Sequence, residues 1–520
     1  MERSTLPLGR RILTHVTVAL LLTSASVSSA QTDSATNAAV YAWGDNTSGQ
    51  LGSNAGYYSA VPAAVSNLTG GVIAVAAGNS HSLAVQNGAA YAWGDDASGQ
   101  LGNGAAGAGS GVPVQVKGLY NGVTAVAAGN RHSLAVRNGT VYAWGANSAG
   151  ELGNGSTIDS AYPGAVNGLS SVSAVAAGNF HSLALQGNAV YAWGENGSGE
   201  LGNGMQGIGA NSSVPVSVVG LSGGVTAIAA GTSHSLAIRN GAVYTWGGND
   251  NGQLGNGTSG ITANSDVPVA VSGLSSGVTT IAGGSLHSLA VQNGLVFAWG
   301  GNGDGQLGNG TTTDSSVPVA VDPADLTNIT AVAAGIASSY ALSADGSLWV
   351  WGNNDIGELG LGDTASHLTP QHLLPPAGYR YTAITTPSGG DHAVAILAPV
   401  IRRFFDGEVA LSNGVYYLAF ESGNYFGYYS YLADPKYIYH FDLGYEYFFD
   451  AADNKAGVYF YDFKSSTFFY TSPTFPFPYL YDFALNTVLY YYPDPKNAGR
   501  YNTNGVRYFY NFATGQIITK

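Results

Sequence analysis

Cysteine is absent from all 520 residues, and only 9% of the chain is charged. The first absence excludes disulfide frameworks, thiolate zinc sites and cysteine nucleophiles. The scarce charge is also lopsided, with 17 Lys and Arg against 31 Asp and Glu and a net charge of −14. Residues 31–398 hold five basic residues and 19 acidic ones. Nucleic-acid backbones are bound by cations that displace condensed counterions, and five over that length cannot build such a patch. No nucleic-acid partner is therefore expected. After the N-terminus no segment approaches the roughly 18 apolar residues of a membrane-spanning helix, so no transmembrane segment is expected in the mature chain.

The first 30 residues read as a targeting segment. Arg3, Arg10 and Arg11 precede a largely apolar run over 12–22 and small residues over 23–30. Ser28 and Ala30 fall at the −3 and −1 positions of a signal-peptidase site before Gln31. The run is too short to span a bilayer. Residues 1–30 are expected to be a signal peptide and the product secreted or held in the cell envelope; Arg10-Arg11 leaves twin-arginine export as an alternative route.

What the chain has in abundance is glycine, 75 residues of it, and a period of about 50 residues. A Trp-Gly pair falls at Trp43, Trp93, Trp144, Trp193, Trp246, Trp299 and Trp351, and each is followed by Gln or Glu, then Leu-Gly. In the first copy the unit offers strands over 61–65, 72–77, 81–85 and 89–93, with Asn87-Gly88 supplying the positive φ of a tight hairpin. Four short strands per unit with no helical periodicity describe a blade of a β-propeller, so residues 31–398 are expected to form seven blades. Ala-rich strands such as 126–128 and 175–177 suit the crowded hub. The first copy lacks a hairpin partner for 39–44 and the last lacks a strand after 392–397, so these two should pair and close the ring.

These residues carry a resemblance. Trp-Gly-x-Asn-x-x-Gly-Gln-Leu-Gly, Val-Pro-x-x-Val and Ala-Gly-x-x-His-Ser-Leu-Ala are similar to the RCC1 (regulator of chromosome condensation) repeat family, whose members form seven-bladed propellers. The resemblance implies an all-β fold over 39–397. Its members include a nuclear exchange factor for a small GTPase and a secreted bacterial inhibitor of β-lactamases. The signal peptide and acidic blades favour an exported, non-enzymatic binding or scaffold protein, with guanine-nucleotide exchange as an alternative.

The recurring side chains are expected to be structural. His81, His132, His181, His234, His287 and His392 recur once per blade, with Ser338 in the remaining copy. Zinc ligands must converge within about 2.1 Å of one ion, whereas equivalent positions on different blades are kept apart by the hub. A buried histidine bonding to a neighbouring turn fits the period, and the tryptophans fit blade-to-blade packing. No catalytic residue, metal site or cofactor motif is found: 102–111 lacks the Gly-Lys-Ser/Thr ending of a phosphate loop. Recognition is then left to loops that differ between copies, namely 105–111, 205–213 and 258–266. A monomer is expected, binding a protein or a cell-surface glycan.

Past Pro399 the composition changes: 37 of 122 residues are Phe or Tyr and none is Trp. Units of about 20 residues, anchored at Phe420, Phe441, Phe463, Phe483 and Phe512, predict a small aromatic-rich ladder of β-hairpins. Stacked aromatics there offer faces to sugar rings, or serve as cross-strand core pairs. An alternative makes this a carbohydrate-active enzyme with a carboxylate pair drawn from Asp442, Glu446, Asp450 and Asp453.

Overall fold

The computed structural model describes residues 38–399 except 54–55, 323–325 and 377, and then eleven backbone strands between Glu408 and Thr519. The expected signal peptide lies outside the described residues. The chain divides into two compact units, Met1–Pro399 and Val400–Lys520, and every regular element described in either is a β-strand.

The first unit is seven four-stranded antiparallel sheets. Blade two shows the pattern, with inner strand Val72–Ala77, second strand His81–Gln86, third strand Ala89–Asp96 and outer strand Gly107–Gln115. Asn87 and Gly88 both take positive φ, 51° and 78°, as the hairpin between the second and third strands requires. Outer strands carry a proline in every blade, from Pro62 to Pro370, beside a shift in pairing register. Proline withholds the N–H that an exposed edge would offer to another chain.

Inner strands are alanine-rich because they converge. Ala76, Ala127, Ala176, Ala229, Ala282 and Ala333 line a narrow axial cavity of about 90 Å³. At one end the turn of blade one crosses the axis, and its Ser388 carbonyl accepts the Thr232 hydroxyl of blade five at 2.9 Å. Neighbouring blades are sealed by apolar clusters, each with one fully buried tryptophan, such as Trp144 among Leu101, Val116, Leu119 and Ala135.

Blade one closes the ring. Its third strand, Ala39–Asp45, pairs with His392–Pro399 from Ala39↔Leu397 to Gly44↔His392, and Tyr58–Ala64 and Tyr379–Thr385 complete it. The closure expected from the mismatched ends is thus present. One consequence corrects the phase of the repeat: the strand expected over 61–65 is the outer strand of blade one and does not share a blade with 72–93. Sequence period and blade are offset because the ring is stitched inside a blade.

The second unit is an eleven-stranded antiparallel sheet in strict chain order, as a ladder of hairpins demands. Strands end at Ala419, His440, Asp462, Asp482 and Asn511, directly before the five anchor phenylalanines, which lie outside the described residues.

Candidate interaction face and the joints beneath it

Each joint between blades is a directed link. Trp93 of blade two is fully buried, and its indole N–H donates to the Gln50 carbonyl of blade one at 2.7 Å. The Ser82 hydroxyl donates to the same carbonyl at 2.9 Å. His392 Nε2 of blade one lies 2.9 Å from that Ser82 Oγ. The link recurs as His81–Ser133, His132–Ser182, His181–Ser235, His234–Ser288 and His287–Ser339, at 2.9–3.0 Å. Gly52, in the Leu-Gly step, must be bare because a Cβ there would sit 2.8 Å from Trp93 Nε1.

The hydrogen bookkeeping fixes the tautomer. A serine hydroxyl has one proton, and in each joint the carbonyl takes it, so histidine Nε2 must carry the hydrogen of the second bond. Nδ1 is then the bare nitrogen, and at His81, His181, His234, His287 and His392 it has no partner. Burial pushes the imidazoles down, to about 3 for His81, His132, His234 and His392 and to about 4 for His181 and His287. They are neutral at any ordinary pH. The histidine partner is therefore a serine hydroxyl on the next blade, and the sequence expectation of a turn is corrected.

A serine beside a histidine is also half of a nucleophilic triad, but this one cannot act as such. The serine proton points to a carbonyl, among the described residues no carboxylate is hydrogen-bonded to Nδ1 of His81, His181, His234, His287 or His392, and both side chains are buried. Among the described residues no group of three His, Cys, Asp or Glu is placed to hold a metal ion.

The seventh joint, from blade seven to blade one, is built differently. Blade seven has Ser338 where histidine recurs, and blade one has Ala393 where serine recurs. The hydroxyl is supplied instead by Tyr340, which donates to the Glu358 carbonyl at 2.6 Å beside Trp43 Nε1 at 2.8 Å. Burial pushes the Glu358 carboxyl up to about 7, and the nearby Asp391 and Asp355 add to the shift.

Sequence reasoning missed the residue that shapes the loops above these joints. Asn46, Asn147, Asn196, Asn249, Asn302 and Asn354, with Asp96 in blade two, are buried, and each side-chain oxygen accepts the backbone N–H of the Leu five residues on. The Gln or Glu before that Leu accepts a backbone N–H two residues earlier, as in Ser48 to Gln50 at 2.9 Å. The signal was in the Trp-Gly-x-Asn spacing.

Turns joining inner to second strands and loops joining third to outer strands emerge at the same end of every blade. That end carries Asp45, Asp95, Asp159, Glu195, Asp250 and Asp304, with Arg131 its one basic residue among the described residues. Lys117, Arg137, Arg239 and Arg380 belong to segments at the opposite end. The same loops expose Tyr57, Ile158, Met205, Ile208 and Ile261. Of the loops expected to vary, 205–213 and 258–266 rise on this face. Residues 105–111 do not form a loop: the outer strand begins at Gly107, paired with Asp96. That blade absorbs its extra residues by lengthening a hairpin.

Of the carboxylates considered for glycoside hydrolysis, Asp442 and Asp453 lie outside the described residues. Glu446 and Asp450 share the strand Gly444–Asp450, four positions apart along its backbone. Glu446 is in backbone register with Asp462 on the next strand.

A sealed ring of seven blades with one acidic, loop-bearing face defines a propeller scaffold, and a fold of this kind supports a protein-interaction role. A family model of the RCC1-like domain matches residues 26–336, and models of the RCC1 repeat match 329–357 and 345–396. The chain belongs to the RCC1-like family. It is 31% identical over 340 residues to the ultraviolet-B receptor UVR8 of Arabidopsis thaliana, covering 64% of this chain and 77% of that one. Against the E3 ubiquitin-protein ligase HERC2 of Homo sapiens it is 30% identical over 368 residues, 68% of this chain but 8% of that protein. Two solved structures share the fold. Human WBSCR16 has a TM-score of 0.61 at 24% identity, covering 70% of this chain and 99% of its own. Prp20p from Saccharomyces cerevisiae, which has binding properties to Gsp1p and histones, has a TM-score of 0.62 at 22% identity, covering 70% and 92%. Among the described residues no helix is long and apolar enough to cross a membrane.

Proposed function

We propose that this chain is an exported, non-enzymatic binding protein that docks a protein partner on the loop-bearing face of its propeller. The observation that carries the reading is charge segregation: the acidic side chains gather where the loops gather, beside exposed Tyr57, Ile158, Met205, Ile208 and Ile261, while Lys117, Arg137, Arg239 and Arg380 lie at the opposite end. A face of that composition has the aromatic and aliphatic anchors of a protein interface. Export rests on the targeting pattern of residues 1–30. The exchange activity of propeller relatives is not assigned, because no interface residue carries across.

For the second unit the reading is a surface- or glycan-binding module. Its backbone register aligns Tyr437, Tyr447, Tyr461 and Phe468 across four successive strands, and Phe449, Tyr459, Tyr470 and Tyr481 across another four. Rows of tyrosine, apolar in body and polar at the tip, match the stacking and hydrogen bonding that sugars require.

Both parts can be tested in the host cell. Fractionation with N-terminal sequencing should find a product starting at Gln31 outside the cytoplasm; a cytoplasmic product retaining residues 1–30 contradicts export. Cross-linking mass spectrometry on that fraction should place partner links on segments 45–58, 146–160, 195–212 and 248–265. Links confined to the hairpin turns around Asn87 and Asn240 contradict the docking face.

A further inference from the structure

Blades four and five carry the longest loops between third and outer strands, 195–211 and 248–264, against 301–314 in blade six. The two are built alike. The carbonyl of buried Asn196 accepts the Gly207 N–H at 3.0 Å, and that of Asn249 accepts Gly260 at 3.0 Å. The same asparagines donate their side-chain amides to the Met205 carbonyl at 2.7 Å and the Thr258 carbonyl at 3.0 Å. Each loop then closes a turn, Ala210 N–H to Gly207 carbonyl at 3.1 Å and Ala263 N–H to Gly260 carbonyl at 2.8 Å. Gly207 and Gly260 hold φ of 93° and 108°, so both turns depend on glycine.

Gly207-Ile208-Gly209-Ala210 and Gly260-Ile261-Thr262-Ala263 therefore place an isoleucine at the same tip position on adjacent blades. Ile208 is 110% exposed relative to a reference residue and Ile261 80%. A lone exposed aliphatic needs no explanation, and a turn tip ordinarily carries Asn, Asp, Ser or Gly. Two identical ones on two hydrogen-bonded turns do need one. Met205 lies exposed beside the first. Glu195, Asp250 and Asp266 belong to the same loops or their ends. From 140 to 379 the only basic residue is Arg239, whose guanidinium donates to the Gly223 carbonyl at the opposite end of the blade.

We propose that Ile208 and Ile261 are twin anchors for a protein partner whose apolar docking patch is bordered by Lys and Arg. The inference rests on the reading of this face as a protein-docking face. The turns are already held in place, so little ordering cost opposes binding, and the acidic surround steers a cationic rim towards the anchors.

The test uses the full chain and three immobilised 15-residue synthetic peptides composed of Leu and Lys, Leu and Glu, or Ser and Lys, read by biolayer interferometry. The Leu/Lys peptide should bind at least tenfold more tightly than either other. Ile208→Ser/Ile261→Ser should lose at least tenfold of that binding with an unchanged melting temperature, and Tyr57→Ser/Tyr58→Ser, on the same face in blade one but away from the twin tips, should lose less than threefold. Equal binding of the three peptides, or full retention by the isoleucine variant, overturns the anchors. If the tyrosine variant loses binding while the isoleucine variant keeps it, the anchors fall and the docking face stands. If both variants keep it, the docking reading falls with them.

Discussion

Six joints of the propeller close with a histidine on one blade and a serine on the next, and the seventh has neither. The two residues sit in different repeats, yet they are missing together: Ser338 replaces the histidine that would donate, and Ala393 replaces the serine that would accept. Tyr340 then brings a hydroxyl to the carbonyl that would otherwise lose one of its two donors. The comparison teaches that the histidine has no role apart from its serine. A ligand-binding histidine would persist where the serine is lost; a structural one goes with it.

The largest test of this comparison is acid. The six buried imidazoles titrate at about 3 to 4 in the folded chain and near 6.5 when unfolded. Below about pH 6.5 the unfolded chain takes up protons that the folded one refuses, so stability falls as pH drops, by about 1.4 kcal/mol per unit for each histidine and about 8 for six. Glu151, Glu200, Glu358 and Asp391 are pushed upward by burial and work the other way. The folded state holds their protons longer, so their contribution is lost as pH rises towards the folded value, about 7 for Glu358, and offsets part of the slope. Urea midpoints at pH 7, 6 and 5 should fall steeply; a flat profile contradicts neutral, buried histidines.

Trp193→Ala empties a fully buried site at an ordinary joint and should cost about 3–5 kcal/mol by chemical denaturation. Trp43→Ala at the seventh joint should cost a similar amount, because the indole contact is common to all seven. Tyr340→Phe separates the two kinds of joint: it leaves the Glu358 carbonyl with one donor and should cost about 1 kcal/mol. Ser338→His alone should cost more than the triple exchange Ser338→His/Tyr340→Leu/Ala393→Ser, which rebuilds an ordinary joint. Equal costs would mean the pair is not a unit. At the small end, Ile208→Ser/Ile261→Ser should change stability by less than about 0.5 kcal/mol, as surface substitutions do.

Much of this architecture was legible in the chain because repetition makes packing visible. Seven Trp-Gly steps, Asn-Gly hairpins and unmatched ends at 39–44 and 392–397 led to a closed seven-bladed ring. The histidine partner was not legible, since the serine that receives each Nε2 belongs to the following copy and looks like a neighbour of its own histidine. The buried asparagines do not stand out in the sequence, because asparagine is also an ordinary turn residue. Residues 105–111 looked like a variable loop, and glycine content alone cannot distinguish a loop from a lengthened outer strand. The matched isoleucine tips were hidden by their spacing, which becomes meaningful only once two adjacent blades are seen to fold their insertions alike.

The most direct measurement is two-dimensional nitrogen NMR of the histidine side chains in the intact protein between pH 7 and 5. Six of the ten histidines should appear as neutral Nε2–H tautomers with slow proton exchange, unmoved by pH across that range and by added zinc. Fewer than six such signals, because joint histidines titrate near pH 6.5, carry the proton on Nδ1 or shift when zinc is added, would contradict the account.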